Sequence, residues 1–514
     1  LKLQEVDMVA LNTDISTPSH LLDVHRPFRL SITDRRFLLA ALCSLLAIRV
    51  LFMLWLPFTD TTEARYAEIA RKMLETGDWI TPQFDYDVPF WGKPPLHTWL
   101  SALGMQIFGV GNFGARIFIL LSGLTVLGLS GSFMKRHVGG DQALVVMVVL
   151  FSSVLFFGAS AFVMTDMVMV LGTTLSMVAF YTCVMDRSED RFWGLLFFVG
   201  LAIGLLAKGP VATVLTLMPI GIWVLIGRRW SLLSSVPWVF GTGLLLVLTL
   251  PWYIAAELKT PGFLQYFIVG EHFERFTVSG WQGDLYGSGH ARAKGLIWLY
   301  WLGVFLPWTL FAAWLLVRAK SVAALVRSDA RGWNSYLLLW AIAPMLLFTP
   351  AANILAAYVL PGIPAAVLLL VSLWTTIYGA HGSGIKALFG LSVGFVTALF
   401  LAITMLAHFA PEMLNLKSQQ ALVERAFQID PNIQLTYWGG RSYSAEFYTR
   451  GKAQATSDLA VLKALDLNDT RDALAVSPSA LKEISAVLGD TFSNVGNFGR
   501  HVLLVETPSL VGKP

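Results

Sequence analysis

Runs of apolar residues, each close to twenty long, recur along the whole chain and leave it few folds to choose from. They fall at about 37–57, 115–134, 142–163, 168–185, 192–207, 210–227, 236–256, 295–317, 334–349, 355–379 and 386–409. Each is near the roughly 20 residues that an α-helix needs to cross the hydrocarbon of a bilayer. Eleven such runs predict an α-helical polytopic membrane protein, and short or surface-lying helices set the count at about 11–13. Of 514 residues, 55% are hydrophobic and only 14% charged, with a mean hydropathy of +0.63. Soluble globular domains of this size do not have that balance. Cys43 and Cys183 both lie inside apolar runs, so neither a disulfide framework nor a thiolate metal site is expected. The net charge of +4 comes from short clusters rather than a basic face, which points to membrane lipids and away from nucleic acid.

The clusters set the expected orientation. Lys135-Arg136-His137, Arg187 with Arg191, Arg228-Arg229 and the run from Arg318 to Arg331 fall on the same side as the polar segment 1–36. That segment carries Arg26, Arg29, Arg35 and Arg36 just before the first apolar run and reads as a cytoplasmic start without a cleaved signal. The long loops 58–114 and 257–294, and the Thr165-Asp166 turn, then lie outside the cytoplasm. An odd number of spans places the C-terminal tail outside as well. Beyond about residue 410 the composition turns soluble. QLTYWG, ALAVSP and HVLLVE read as strands and SALKEISAVLG as a helix, predicting a small α/β domain over 411–514 after a membrane domain over 37–410.

The loop 58–114 is the densest charged and aromatic stretch in the first half of the chain. Thr62 to Leu74 favours a helix, rich in Ala, Glu, Arg and Lys and free of Pro and Gly. Thr61 or Thr62 can cap its start, Glu63 sits where the dipole favours an anion, and Gly77 ends it. Tyr66, Ile69, Ala70 and Met73 share one face. Asp85 and Asp87 read as a solvated turn. Lys93-Pro94-Pro95 breaks the chain before a second helix from His97 to Phe108, apolar enough to lie on the membrane surface.

The expected topology gathers Asp60, Glu63, Arg65, Lys93, Asp166, Lys208, Glu271, His272, Arg275 and Tyr358 on the outer face, from five loops or span ends. Arg and Lys there can hold a phosphate, and a carboxylate can take the proton of an attacking hydroxyl. A lipid phosphate in the membrane plane with a sugar above it suits such a set. The chemistry expected of such a set is glycosyl transfer from a polyprenyl-phosphate sugar. Structural roles compete: Arg65 and Lys93 as headgroup anchors, Lys208 as a span-end anchor, and Glu271, His272 and Arg275 as a solvated helix face. Asp166, alone in AFVMTDMVMV, favours a functional role because an isolated carboxylate among apolar residues is costly. Glu271 with His272 offers two candidate ligands for a divalent metal, a thin donor set.

TEARYAEIARKML, GDWITPQFDYDVPFWGKPPL, MTDMVM, LLAKGP, EHFERF and AAYVLPGIP, in that order, resemble the bacterial aminoarabinose (lipid A) transferase family. It belongs to the GT-C glycosyltransferases, with the protein O-mannosyltransferases. The resemblance covers about residues 40–365 and implies a GT-C membrane domain followed by a periplasmic domain. It further implies an undecaprenyl-phosphate sugar donor, inversion at the anomeric carbon, no nucleotide and an inner-membrane location. By position, Glu63, Asp166 or Asp60 would be the catalytic carboxylate. Arg65, Lys93, Arg275 and Tyr358 would hold the donor phosphate, and Lys208, Glu271 and His272 would be further site residues. Two positions depart from the family pattern: Thr62 where an Asp is common, and Gly92 where a Glu is common. The acceptor implied is lipid A or another envelope glycan, with a protein hydroxyl as the alternative. A lipid-linked sugar transporter is the rival from another class, but no paired halves accompany the charged face.

Overall fold

The computed structural model describes residues 28–186, 190–287, 290–317, 319–327, 329–378, 385–409, 417–465 and 470–507. Most of the 1–36 segment with Arg26, the basic positions Arg187 and Arg318, and the junction 411–416 lie outside the described residues. Eight helices are long and apolar enough to cross a membrane. They include α1 (Ile32–Trp55), α4 (Asn112–His137), α7 (Thr165–Met185), α8 (Asp190–Lys208), α9 (Pro210–Gly227) and α10 (Trp238–Lys259). The other two lie at Ala356–Ile377 and Lys386–Ala407. With this hydropathy, the chain is a multi-pass membrane protein.

The three remaining apolar runs do not form straight long helices. The expected span 142–163 is split into α5 (Gly140–Phe151) and α6 (Val154–Ala159). At the break, the Ser152 and Ser153 hydroxyls donate to the carbonyls of Val148 and Val149, competing with the helix ladder. The span 295–317 bends by 109° between Leu296–Val304 and Trp308–Leu316, where Pro307 supplies no N–H. The span 334–349 is a 16-residue helix, Trp333–Phe348.

Between α1 and α4 the chain forms α2 (Thr62–Thr76) and α3 (Leu96–Phe108), as the sequence predicts. Gly77 terminates α2 with φ 68°, its N–H donating to Met73 O. Thr61 occupies the N-cap position without a side-chain cap hydrogen bond, so neither threonine caps as expected. A short hairpin of β1 (Gln83–Asp85) and β2 (Val88–Pro89) separates the helices. The expected solvated turn is half right. Asp87 is exposed at φ 61°, while Asp85 pairs with Lys72 at 3.2 Å and Arg441 at 3.3 Å.

The C-terminal residues build a five-stranded mixed sheet in the order β4 (Gln454–Thr456), β3 (Gln434–Trp438), β5 (Asp472–Val476), β7 (His501–Glu506), β6 (Phe492–Phe498). The β3–β4 and β3–β5 pairs are parallel, and the β5–β7 and β6–β7 pairs antiparallel. The helix Tyr443–Tyr448 docks onto α2. That docking explains why Glu68, Arg71 and Lys72 are buried on a helix that reads as a charged loop element. Glu68 pairs with Arg71 at 2.7 Å and Lys72 reaches Glu446 at 3.6 Å.

Candidate functional site

Helical geometry sorts the charges of α2 into two groups. Residues two apart on a helix point about 200° from each other, whereas i, i+3 and i+4 share a face. Thr62, Arg65 and Tyr66 accordingly line one polar cavity of about 340 Å³. Glu63 turns away from it. Its two oxygens accept from Arg116 Nε and Nη2 at 2.8 Å each, and Oε1 also accepts the Val163 N–H at 3.2 Å. The pair is fully buried, and the guanidinium stacks over the Phe58 ring at 4.5 Å. Asp60 is also elsewhere. It accepts from Ser442 Oγ (2.8 Å), Ser444 N–H (2.8 Å) and Ser444 Oγ (3.0 Å), tying the loop between α1 and α4 to the C-terminal domain. Burial pushes its carboxyl above the usual range, and the serine donors offset this in part. Of the three candidate catalytic carboxylates, only Asp166 lines the polar cavity.

Asp166 lies in the first turn of α7 and Lys208 in the last turn of α8, each favoured there by the helix dipole. The two helices pack closely enough that a Cβ at Gly172 would stand 2.5 Å from Gly204 N. This brings Lys208 Nζ to 2.5 Å from Asp166 Oδ1, and over the Tyr358 ring at 4.7 Å. Among the described residues Asp166 Oδ2 has only a long contact from Thr165 Oγ1 at 3.4 Å.

The π-helical segment Gln265–Glu274 supplies Glu271, which receives Lys93 Nζ at 2.6 Å and Arg275 Nη1 at 2.9 Å. Burial alone would raise the Glu271 carboxyl, but Lys93 and Arg275 outweigh it and hold the group below its ordinary value. Arg275 also pairs with Asp284 at 3.2 Å. Arg65 donates to Tyr286 O at 2.5 Å, while among the described residues its buried Nε meets no hydrogen-bond partner. Tyr286, pushed up to about 12 mainly by burial, remains a neutral phenol. The cavity holds four cations (Arg65, Lys93, Lys208, Arg275) and three carboxylates (Asp166, Glu271, Asp284), giving one net positive charge.

The metal expectation is not supported by the donors. Glu271 is occupied by two cations, and the His272 nitrogens face carbonyls, Nδ1 to Phe267 O at 2.8 Å and Nε2 to Lys208 O at 3.2 Å. Among the described residues no group of three or more His, Cys, Asp or Glu side chains could hold a metal ion. His272 instead packs beside the second cavity. Sequence reasoning missed Asp284, Tyr286, His290 and Tyr443, all of which line the polar cavity. The first three belong to the long loop after α10, whose length was the only signal. Tyr443 comes from the C-terminal domain and has no local signal at all.

A second cavity of about 280 Å³ adjoins the first. Its apolar wall includes Pro210, Val211, Val214, Phe276, Leu347 and Phe348. Lys93, Lys208, Glu271, Arg275 and Tyr358 line both cavities. An apolar slot between helices thus leads to a cluster of cations, with a polar chamber beyond.

A family model described as dolichyl-phosphate-mannose-protein mannosyltransferase matches residues 35–267. The undecaprenyl phosphate-alpha-4-amino-4-deoxy-L-arabinose arabinosyl transferase of Edwardsiella ictaluri is 31% identical over 362 residues, 66% of this chain and 60% of its own. The protein of the same name from Erwinia tasmaniensis is 30% identical over 357 residues, covering 67% and 60%. The chain therefore spans about 60% of the length of these curated relatives. The crystal structure of ArnT from Cupriavidus metallidurans bound to undecaprenyl phosphate superposes with a TM-score of 0.71 at 19% identity, over 93% of this chain and 99% of that one. Its apo form gives 0.72 at 20% identity, with the same coverage. The structural likeness establishes the fold, which this chain shares with ArnT, and its sequence is similar to the aminoarabinose transferases over about 60% of their length.

Proposed function

We propose that this chain is an inverting glycosyltransferase of the bacterial inner membrane. It moves a monosaccharide from an undecaprenyl-phosphate donor to an acceptor on lipid A or another envelope glycan. The observation that carries this reading is the pair of cavities joined through Lys93, Lys208, Glu271, Arg275 and Tyr358. An amphiphile with a polyprenyl tail, a phosphate and a sugar matches their sequence of apolar slot, cationic junction and polar chamber. The relatives are named for 4-amino-4-deoxy-L-arabinose, which we take as the donor sugar. The first outer loop and the domain from about 411 face the periplasm in this reading, with the N-terminus cytoplasmic.

In the step itself the acceptor oxygen forms a bond to the anomeric carbon from the face opposite the phosphate. The bond from that carbon to the phosphate oxygen breaks, and its electron pair leaves with the lipid phosphate. Lys93, Arg275 and Arg65 meet the charge that grows there. Asp166, with an under-used Oδ2 in the chamber, takes the proton of a hydroxyl acceptor. A phosphate acceptor is already an anion and needs no such base. Purified protein given the lipid-linked sugar and lipid A is expected to transfer it. Lys93→Ala is expected to cut transfer about a hundredfold with folding intact, the loss of one strong charge-assisted contact. Full activity in that variant sinks the phosphate role. Mass spectrometry of lipid A, envelope glycans and membrane proteins from a deletion strain identifies the acceptor.

A further inference from the structure

A second charged cluster lies apart from the transferase chamber, with one cation in excess. Arg49 projects from α1 about 9 Å below its outer end. Its side chain is buried, with 4% of the residue exposed. It donates from Nη2 to Gly158 O at 2.8 Å and from Nε to Ser160 Oγ at 3.3 Å. Both partners are neutral, and among the described residues Arg49 forms no ion pair. The one carboxylate nearby, Glu63, is consumed by Arg116. A buried guanidinium without a counter-ion in a membrane span is costly, so an anion that reaches it is held favourably.

Space is provided for that anion. Arg49, Glu63 and Arg116 line a cavity of about 200 Å³ with Phe52, Phe162 and Phe400. Phe52 and Thr404 also line a larger groove of about 690 Å³. The groove runs between the outer ends of α1 and Ile385–Phe409 and under the helix Gln420–Ile429 of the C-terminal domain. Trp55, Met405 and Phe409 along it are 67%, 60% and 77% exposed, as suits contact with hydrocarbon. Glu424 also lines the groove and accepts from Gln420 Nε2 at 2.7 Å.

We propose that this groove binds an anionic glycerophospholipid, with its acyl chains along α1 and Ile385–Phe409 and its phosphate paired with Arg49. The site is separate from the donor slot and does not depend on the transferase reading. It borders the strand of chain that leads to the chamber, since Gly158 and Ser160 hold Arg49, Val163 holds Glu63, and Asp166 follows.

Native mass spectrometry of the purified full chain with dioleoyl phosphatidylglycerol, and separately with dioleoyl phosphatidylcholine, tests this. The wild type is expected to retain one phosphatidylglycerol in preference to phosphatidylcholine. Arg49→Gln is expected to weaken that retention about tenfold or more, the loss of a charge-assisted pair. Ala421→Trp, at an exposed position lining the groove, is expected to block it with Arg49 intact, and decides alone if Arg49→Gln does not fold. Lys93→Ala is expected to leave retention unchanged. Retention unaffected by Ala421→Trp, no preference for phosphatidylglycerol in the wild type, or a loss in Lys93→Ala that places the lipid in the donor slot would each overturn the proposal.

Discussion

Glu63 and Asp166 are both buried carboxylates held by a cation, and both are candidates for the catalytic base. Glu63 has both oxygens forked onto Arg116 and a backbone N–H added to one of them. Asp166 has one oxygen on Lys208 and the other almost free, facing a chamber. Burial and pairing therefore do not separate structural from functional charge. Spare hydrogen-bonding capacity beside open space does. Glu271 stands between the two. It is saturated by Lys93 and Arg275, yet its two cations face the chamber, and in the proposed function it holds them in place for the donor phosphate.

The contrast can be broken most directly at Glu63. Glu63→Ala leaves Arg116 buried without its partner and is expected to cost about 3–5 kcal/mol. This reads out as a large drop in thermal midpoint and in yield from the membrane. A folded Glu63→Gln protein that transfers nothing would instead make Glu63 catalytic and erase the distinction. Asp166→Asn is expected to keep the fold and to slow transfer to a hydroxyl acceptor about a hundredfold or more, the usual worth of a general base. An unchanged rate would point to an acceptor that arrives as an anion.

A smaller effect is expected at Asp60, which binds the two domains together. Asp60→Ala removes the acceptor of three donors and is expected to cost about 1–3 kcal/mol, seen as faster proteolysis between the last membrane helix and the C-terminal sheet. Activity lost with no change in proteolysis would return Asp60 to the list of catalytic acids. The smallest effect is with pH. Because Glu271 is held below its ordinary value of 4.5, its stabilising contribution is present above that value and is lost only as pH falls through the still lower folded one. Stability measured across about pH 5–8 should show no step from this residue. A step there would mean that Lys93 and Arg275 do not hold it.

Much of this was legible beforehand. Apolar runs of spanning length located the membrane helices, because a helix in hydrocarbon must be apolar along its length. The same runs hid the breaks at Ser152-Ser153 and Pro307, since hydropathy averages over single residues. The ends of α2, and the face carrying Tyr66, Ile69, Ala70 and Met73, followed from local propensity and period. The period also placed Glu63 and Arg65 on opposite sides of α2, so their separation was implicit in the sequence. Which side faced the chamber was not.

Composition and spacing along the chain are enough to set the class of molecule, the positions of most spans and the inventory of charged groups. Which charges neutralise one another follows from the folded arrangement alone. Arg116 captures Glu63 from 53 positions away, Ser442 captures Asp60 across 382, and Glu271 reaches Lys93 across 178. Tyr443 enters the chamber from the C-terminal domain by the same kind of long-range packing. Electrostatic partnership acts over a few ångströms of space, and distance along the chain says almost nothing about it.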